Sequence, residues 1–374
     1  MKKKFRFHIL GLSHAQTTKE YSCEAFTQKV RVICKMLTEL GHTVYHYGTA
    51  GSNPVCTENI EVLSKETFDS VHRTYDWKKD GFITSHDNPA NIEFTRRAIE
   101  EITKRRQPTD FLLCSFGLQH KPIADAVQPL ITTELGIGYR WTFAPHRIFE
   151  SYGWMHFIYG AEGKDLNPPL YDAVIPAYYD LNDFIYSEDK EDYFFFIARP
   201  TPLKGLEIAI KTVETLGSKL IVAGQGTPPF TSPNMEHIGA IGIEERAKWM
   251  SKAKATFVPT IYIEPFGSTV IESLLCGTPV ITTDFGAFPE TVLHGKVGYR
   301  CRSLEQFIWA ARNIDKIKPK NCRKWAEQNY SLKRVGKMYE EYFDMLYKLY
   351  SSSEGWYNKT TDRTELNWLN KKFI

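Results

Sequence analysis

No apolar run in this chain of 374 residues is long enough to cross a membrane as a helix, which sets aside a helical span. The seven cysteines (Cys23, Cys34, Cys56, Cys114, Cys276, Cys301, Cys322) are odd in number and contain no C-x-x-C pair. They read as free thiols of a reducing compartment, against a disulfide framework or a zinc site. A net charge of +3 is too small to point by itself to a polyanionic partner. No D-x-D stands at a strand end, which argues against a diphosphate held through a metal ion. Neither G-x-S-x-G nor H-E-x-x-H occurs, removing the obvious hydrolase readings. There is no repeat of solenoid period and no long low-complexity segment. The basic start, residues 1–11, lacks a long apolar core and a small-residue cleavage site and reads as a first strand.

What the chain does contain is alternation. Phe5–Leu10 reads as a strand, Cys23–Leu40 as an amphipathic helix ended by Gly41, and Thr43–Tyr47 as a second strand. Residues 50–90 are polar and carry no clear pattern. A helix over Asn91–Arg106, a buried strand over Asp110–Ser115, a helix from Ile123 and a strand over Leu130–Glu134 follow. The charged run Ser187–Asp192 reads as a solvated connector. A second cycle then runs through strands at Tyr193–Ile197, Lys219–Ala223, Ala255–Val258 and Val280–Thr282, with helices at Gly205–Leu216 and Glu244–Lys252. Such alternation predicts parallel sheets covered by helices. From Leu332 to Tyr347 the apolar residues fall on one helical face, and residues past Ser351 read as a loose polar tail. The expected division is 1–186, 187–331 and 332–374, with the last helix returning to the first domain.

Seven residues separate two glutamates in Glu264-Pro-Phe-Gly-Ser-Thr-Val-Ile-Glu272. An apolar strand precedes this stretch and a helix follows it, so Gly267 marks a strand-to-helix turn. The first amides of that helix, around Gly267, Ser268 and Thr269, lack internal partners and carry the positive end of the helix dipole, a setting that holds phosphate. Glutamate early in a helix also serves simply to complement the dipole. Upstream, Arg199 ends a strand and Lys204 stands before Gly205. Arginine grips phosphate in bidentate fashion and lysine adds a point charge. Gly224 and Gly226 follow the next strand and permit close backbone approach. These stretches, continued in Gly286–Glu290 and Gly295–Gly298, resemble the donor-site signature of the retaining glycosyltransferases that include sucrose synthases and bacterial mannosyltransferases, the group 1 glycosyl transferases.

The resemblance is close in the second half and extends to the first only in layout. It implies the α/β architecture called GT-B: two Rossmann-like domains facing each other across a cleft, with parallel sheets. It implies transfer of a sugar from a UDP- or GDP-linked donor to an acceptor hydroxyl, with retention at the anomeric carbon and no cofactor or metal. Arg199 and Lys204 would clamp the diphosphate, Glu264 would hold sugar hydroxyls, and Glu272 the ribose. Phe266, Gly267, Ser268, Thr269, Gly224, Gly226 and Gly11 would contact the donor, and Ile238–Gly242 would cradle the base. His120 resembles the family's histidine beside the sugar, with Gln119 as the alternative. The family has a glycine-rich loop after strand one; here Gly11 is followed by His14 and Gln16, and the acceptor side departs from the pattern. His14 and Gln16, with Arg147 and Glu150 from an aromatic-rich segment, are the candidate acceptor contacts. The same architecture also serves sugar-nucleotide epimerases and non-catalytic nucleotide-sugar-binding modules. A glycan, a lipid-linked glycan, a small molecule and a hydroxylated nucleobase in DNA all remain as acceptors. The location expected is cytoplasmic, with a peripheral membrane or nucleic-acid contact through the basic cluster Lys316–Lys324 weighed against a plain solvated helix start.

Overall fold

The computed structural model describes residues 3–74, 76–351 and 364–366. These form two compact units. One holds residues 3–74, 82–178, 332–351 and 364–366, and the other holds 76–81 and 179–331. Residues 352–363 and 367–374, most of the stretch expected to be a loose tail, lie outside the described residues.

The first unit is built on seven strands: β1 (Arg6–Leu10), β2 (Thr43–Thr49), β3 (Glu58–Leu63), β4 (Phe111–Cys114), β5 (Ile131–Leu135), β6 (His146–Phe149) and β7 (Ala173–Val174). All pair in parallel, in the order β3-β2-β1-β4-β5-β6-β7. Strands such as Phe-Leu-Leu-Cys in β4 are apolar throughout because helices cover both faces. The Ala25–Glu39 helix starts where Glu24 accepts from the Thr27 amide and buries Val30, Ile33, Cys34 and Leu37. The Leu332–Ser351 helix also belongs to this unit, where Phe343 packs on Phe7 and Phe111 at centroid distances of 4.8 and 4.9 Å. Gly336 lets it lie close to Met36 and Leu40.

The unpatterned residues 50–90 contain β3 and a helix at Lys65–His72 capped by Ser64. β3 escapes sequence reading because only three of its six residues are buried. The aromatic-rich segment from His146 opens as strand β6 before its helix at Tyr152–Ala161.

The second unit carries β8 (Tyr193–Ile197), β9 (Lys219–Ala223), β10 (Met235–His237), β11 (Thr256–Val258), β12 (Val280–Thr283) and β13 (Gly298–Cys301). They too are parallel, ordered β10-β9-β8-β11-β12-β13. The expected α/β class with two parallel sheets is thus observed. In each unit chain order reverses beside the first strand, between β1 and β4 and between β8 and β11. In open parallel sheets the crevice at such a reversal, outside the carboxyl ends of the strands, is where ligands bind. No helix among the described residues is long and apolar enough to cross a membrane.

Candidate functional site

The reversal in the second unit gathers the exits of β8 and β11. The β8 exit carries Arg199, then a single 3-10 turn at Pro202–Lys204, then Gly205 with φ of 74°. A Cβ on Gly205 would stand 2.1 Å from the Pro259 carbonyl oxygen, so only glycine lets the two exit loops meet. Across that contact Lys204 Nζ reaches Glu264 Oε2 at 3.0 Å and also donates to the Tyr262 hydroxyl. Burial pulls the Lys204 pKa down, but Glu264 and Tyr262 more than reverse this, and the ammonium is held charged. The Glu264 backbone is pinned in turn by the β12 exit: the Ala287 amide donates to the Glu264 carbonyl at 3.1 Å, and Gly286 allows the approach. Arg199 is exposed and has no carboxylate partner among the described residues, leaving its guanidinium open to a ligand.

The β9 exit closes in beside them. Gly224 adopts φ of 154°, and a Cβ there would lie 1.9 Å from the Ala198 carbonyl oxygen. Gly226, at φ of 95°, has open space around it. Gly224→Ala is therefore expected to lower stability by at least about 1–3 kcal/mol, because backbone rather than a flexible side chain must yield. Gly226→Ala should lose less. Thermal denaturation of the two variants checks this, and equal losses would contradict it.

The Ser268–Leu275 helix begins at Gly267, whose φ is 81°, and no side chain caps its first amides. Ser268 and Thr269 are partly exposed there, so these donors remain free for an anion. Phe266 differs from expectation: its ring is buried and packs on Tyr330 at 5.8 Å, so it supports the turn from behind instead of touching a donor with its side chain. Glu272 is buried one turn along the helix, 3.4 Å from Arg246. Burial raises its pKa and Arg246 opposes the rise. Tyr262 and Arg246 were not legible beforehand. Neither belongs to a local pattern, and only packing brings them to Lys204 and Glu272.

In the first unit, His120 departs from the expected sugar contact. It is buried, its Nδ1 accepts from the Ser115 amide at 3.3 Å, and its Nε2 lies 3.1 Å from the Gly11 carbonyl. Both ring nitrogens are thus committed to backbone, and burial pushes the pKa down to about 3. His120 holds the Gly11 loop in place as a neutral Nε2–H tautomer. Gln119, the alternative, donates to the Thr84 carbonyl. Gly11 itself is buried against His46 and Tyr47. Gln16 donates to the Ala50 carbonyl at 2.6 Å. His14 is buried between the rings of Phe82 and Phe116, at 5.5 and 5.0 Å, and its Nδ1 has no hydrogen-bond partner among the described residues. Two acceptor candidates are corrected. The Arg147 side chain is only 1% exposed and bonded through Nη2 to Asp172 at 2.6 Å and through Nη1 to Glu162 at 3.2 Å. Glu150 is buried with Lys29 at 2.7 Å. Charges in the middle and at the end of β6 look like ligand contacts in sequence, but the fold uses them internally.

Residues 181–331 match the family Glycosyl transferases group 1, and these residues contain Arg199, Lys204, Glu264 and Glu272. That segment is similar to the group 1 glycosyl transferases. The matched segment contains the reversal between β8 and β11. An uncharacterized glycosyltransferase of Methanocaldococcus jannaschii is 25% identical over 200 residues, covering 46% of this chain and 49% of that protein. The chain thus spans about half the length, or less, of the curated relatives it matches. Among solved structures, AviGT4, a glycosyltransferase involved in avilamycin A biosynthesis, superposes with a TM-score of 0.68 at 18% identity, over 92% of this chain and 98% of that one. HepE of Anabaena in complex with UDP-glucose gives 0.62 at 13% identity, over 92% of this chain and 100% of that one. These likenesses establish the GT-B fold.

Proposed function

We propose that this chain is a retaining glycosyltransferase that moves a sugar from a UDP- or GDP-linked donor to an acceptor hydroxyl. The observation that carries the reading is the Lys204–Glu264 pair at the sheet reversal, set beside Arg199, which has no ion pair among the described residues, and a helix start without a side-chain cap. A cation, a carboxylate and free amides together suit a sugar diphosphate. The UDP-glucose held by Anabaena HepE, a protein of the same fold, supports that choice of donor.

In the proposed reaction the bond from the anomeric carbon to the diphosphate oxygen breaks and negative charge develops on the diphosphate. Arg199, Lys204 and the amides of Ser268 and Thr269 meet that charge as it forms. The acceptor oxygen bonds to the anomeric carbon on the face the diphosphate leaves. Its proton passes to a phosphate oxygen of the leaving group, so no protein base is required. Glu264 accepts from hydroxyls of the sugar, and Glu272 from the ribose. The acceptor hydroxyl belongs to a glycan, a lipid-linked glycan, a small molecule or a hydroxylated nucleobase, and the assay panel is built from these.

Because two cations take the place of a divalent ion, activity should persist in excess chelator. The deciding experiment incubates the full chain with labelled UDP- and GDP-sugars, with and without the acceptor panel, in chelator. Transfer of label with the anomeric configuration kept, read by NMR of the product, supports the proposal. Inversion, isomerisation of the donor sugar, tight donor binding without transfer, or activity restored only by magnesium or manganese would each overturn the corresponding part.

A further inference from the structure

Two buried ion pairs of the first unit are short and hydrogen-bonded: Arg147 to Asp172 at 2.6 Å and Lys29 to Glu150 at 2.7 Å. The pair formed by Arg246 and Glu272 is built differently. The Arg246 side chain is 12% exposed and that of Glu272 8%, yet their closest approach is 3.4 Å. Nε and Nη2 of Arg246 are buried and neither has a hydrogen-bond partner among the described residues. The guanidinium therefore supplies positive potential without occupying the carboxylate's lone pairs.

A buried carboxyl without a nearby cation takes up a proton. As an acid it would present a donor and fewer acceptor sites, whereas a carboxylate accepts from both hydroxyls of a vicinal diol. We infer that Arg246 is a positioning residue of the nucleotide site, holding Glu272 as an open carboxylate toward the ribose diol. The inference rests on the reading of Glu272 as the ribose contact.

The surroundings leave this task to Arg246. The Leu181–Asp183 turn brings Asp183, whose charge raises the Glu272 pKa further. On its own helix Cys276 is pushed up to about 12 by burial and stays neutral. Lys190, beyond Cys276, is committed to the Ser251 carbonyl and the Thr278 hydroxyl at 2.9 and 2.8 Å. The Pro319–Tyr330 helix packs on the Ser268–Leu275 helix with Arg323, which donates to the Leu275 carbonyl at 2.6 Å and pairs with Glu327. Strands β11 and β12 bring no charged side chain. Among the described residues Arg246, from the Ile243–Lys252 helix, is the cation that opposes burial of Glu272.

Calorimetry with UDP and GDP on the full chain tests this, with Arg246→Met, Arg246→Gln and Arg246→Lys compared with the parent from about pH 6 to about pH 8. Relative to the parent, which cancels titration of the nucleotide itself, the Met and Gln variants should bind about tenfold more weakly at the acid end. The gap should close as pH rises and Glu272 ionises without help. Arg246→Lys should follow the parent at every pH. In a Glu272→Gln background, Arg246→Gln should weaken binding no further. A deficit that is the same at every pH, or full additivity with Glu272→Gln, overturns the inference and leaves the ribose reading intact. Failure of Glu272→Gln to weaken binding, or absence of binding of either nucleotide to the parent, overturns that reading and the inference with it. Should Arg246→Met fail to fold, the Gln and Lys variants carry the same comparison.

Discussion

Lys204→Ala should lower turnover by about a hundredfold or more. Lys204 is the best-anchored cation at the reversal between β8 and β11, held by Glu264 and Tyr262 with its charge secured. In the proposed reaction it faces charge that appears only as the sugar leaves, so its loss should fall on turnover more than on substrate affinity. Arg199→Ala should share the kinetic deficit and differ in stability. Arg199 is exposed with no ion pair among the described residues, so its removal leaves no buried charge behind. Lys204→Ala strands Glu264, whose side chain is only 12% exposed, and should melt somewhat earlier. Steady-state rates beside thermal denaturation separate the two effects. Turnover near that of the parent in Lys204→Ala would remove the residue from the reaction.

Arg147→Met should destabilise the chain by about 3–5 kcal/mol, the usual cost of breaking a buried ion pair from one side. Its guanidinium serves Asp172 through Nε and Nη2 at 3.0 and 2.6 Å, and Glu162 and the Thr142 hydroxyl through Nη1 at 3.2 and 2.8 Å. Without it, the carboxyl of Asp172 stays buried without its cation and its folded-state pKa rises further, whereas Glu162 keeps Lys164 at 2.7 Å. A folded state that binds more protons than the unfolded chain gains stability as pH falls. The deficit should therefore shrink on acidification through the raised pKa and be fully present above it. Denaturant titrations at several pH values check this. A variant as stable as the parent, with a raised KM for acceptor, would restore Arg147 to the acceptor site and refute its role in the fold.

Much of the candidate site in the second unit was legible because its determinants are local. Gly205, Gly224 and Gly267 sit at strand exits where the backbone needs positive φ or close approach, and such positions announce themselves by residue type. Arg199, Lys204, Glu264 and Glu272 lie within a few residues of those turns, and the chain direction carries them to one edge of the sheet. Phe266 misled because it lies between Glu264 and Ser268, both partly exposed, while its own ring is buried and turns to Tyr330. His120 misled because a histidine after a strand reads alike whether its nitrogens meet a sugar or backbone; here Ser115 and Gly11 take both.

By itself, then, the sequence determined two parallel α/β sheets, the strand-exit glycines and the cations and carboxylates near them, because hydrophobic periodicity and backbone freedom are properties of short segments. Only the tertiary structure decided which charges are available. Arg147 and Glu150 look as free in sequence as Arg199, yet partners up to 121 residues away in the chain consume them. The same packing set Arg246 beside Glu272 and Tyr262 beside Lys204. Burial and the distance to a counter-charge govern whether an ionic side chain serves the fold or a ligand, and both quantities exist only once distant elements have packed.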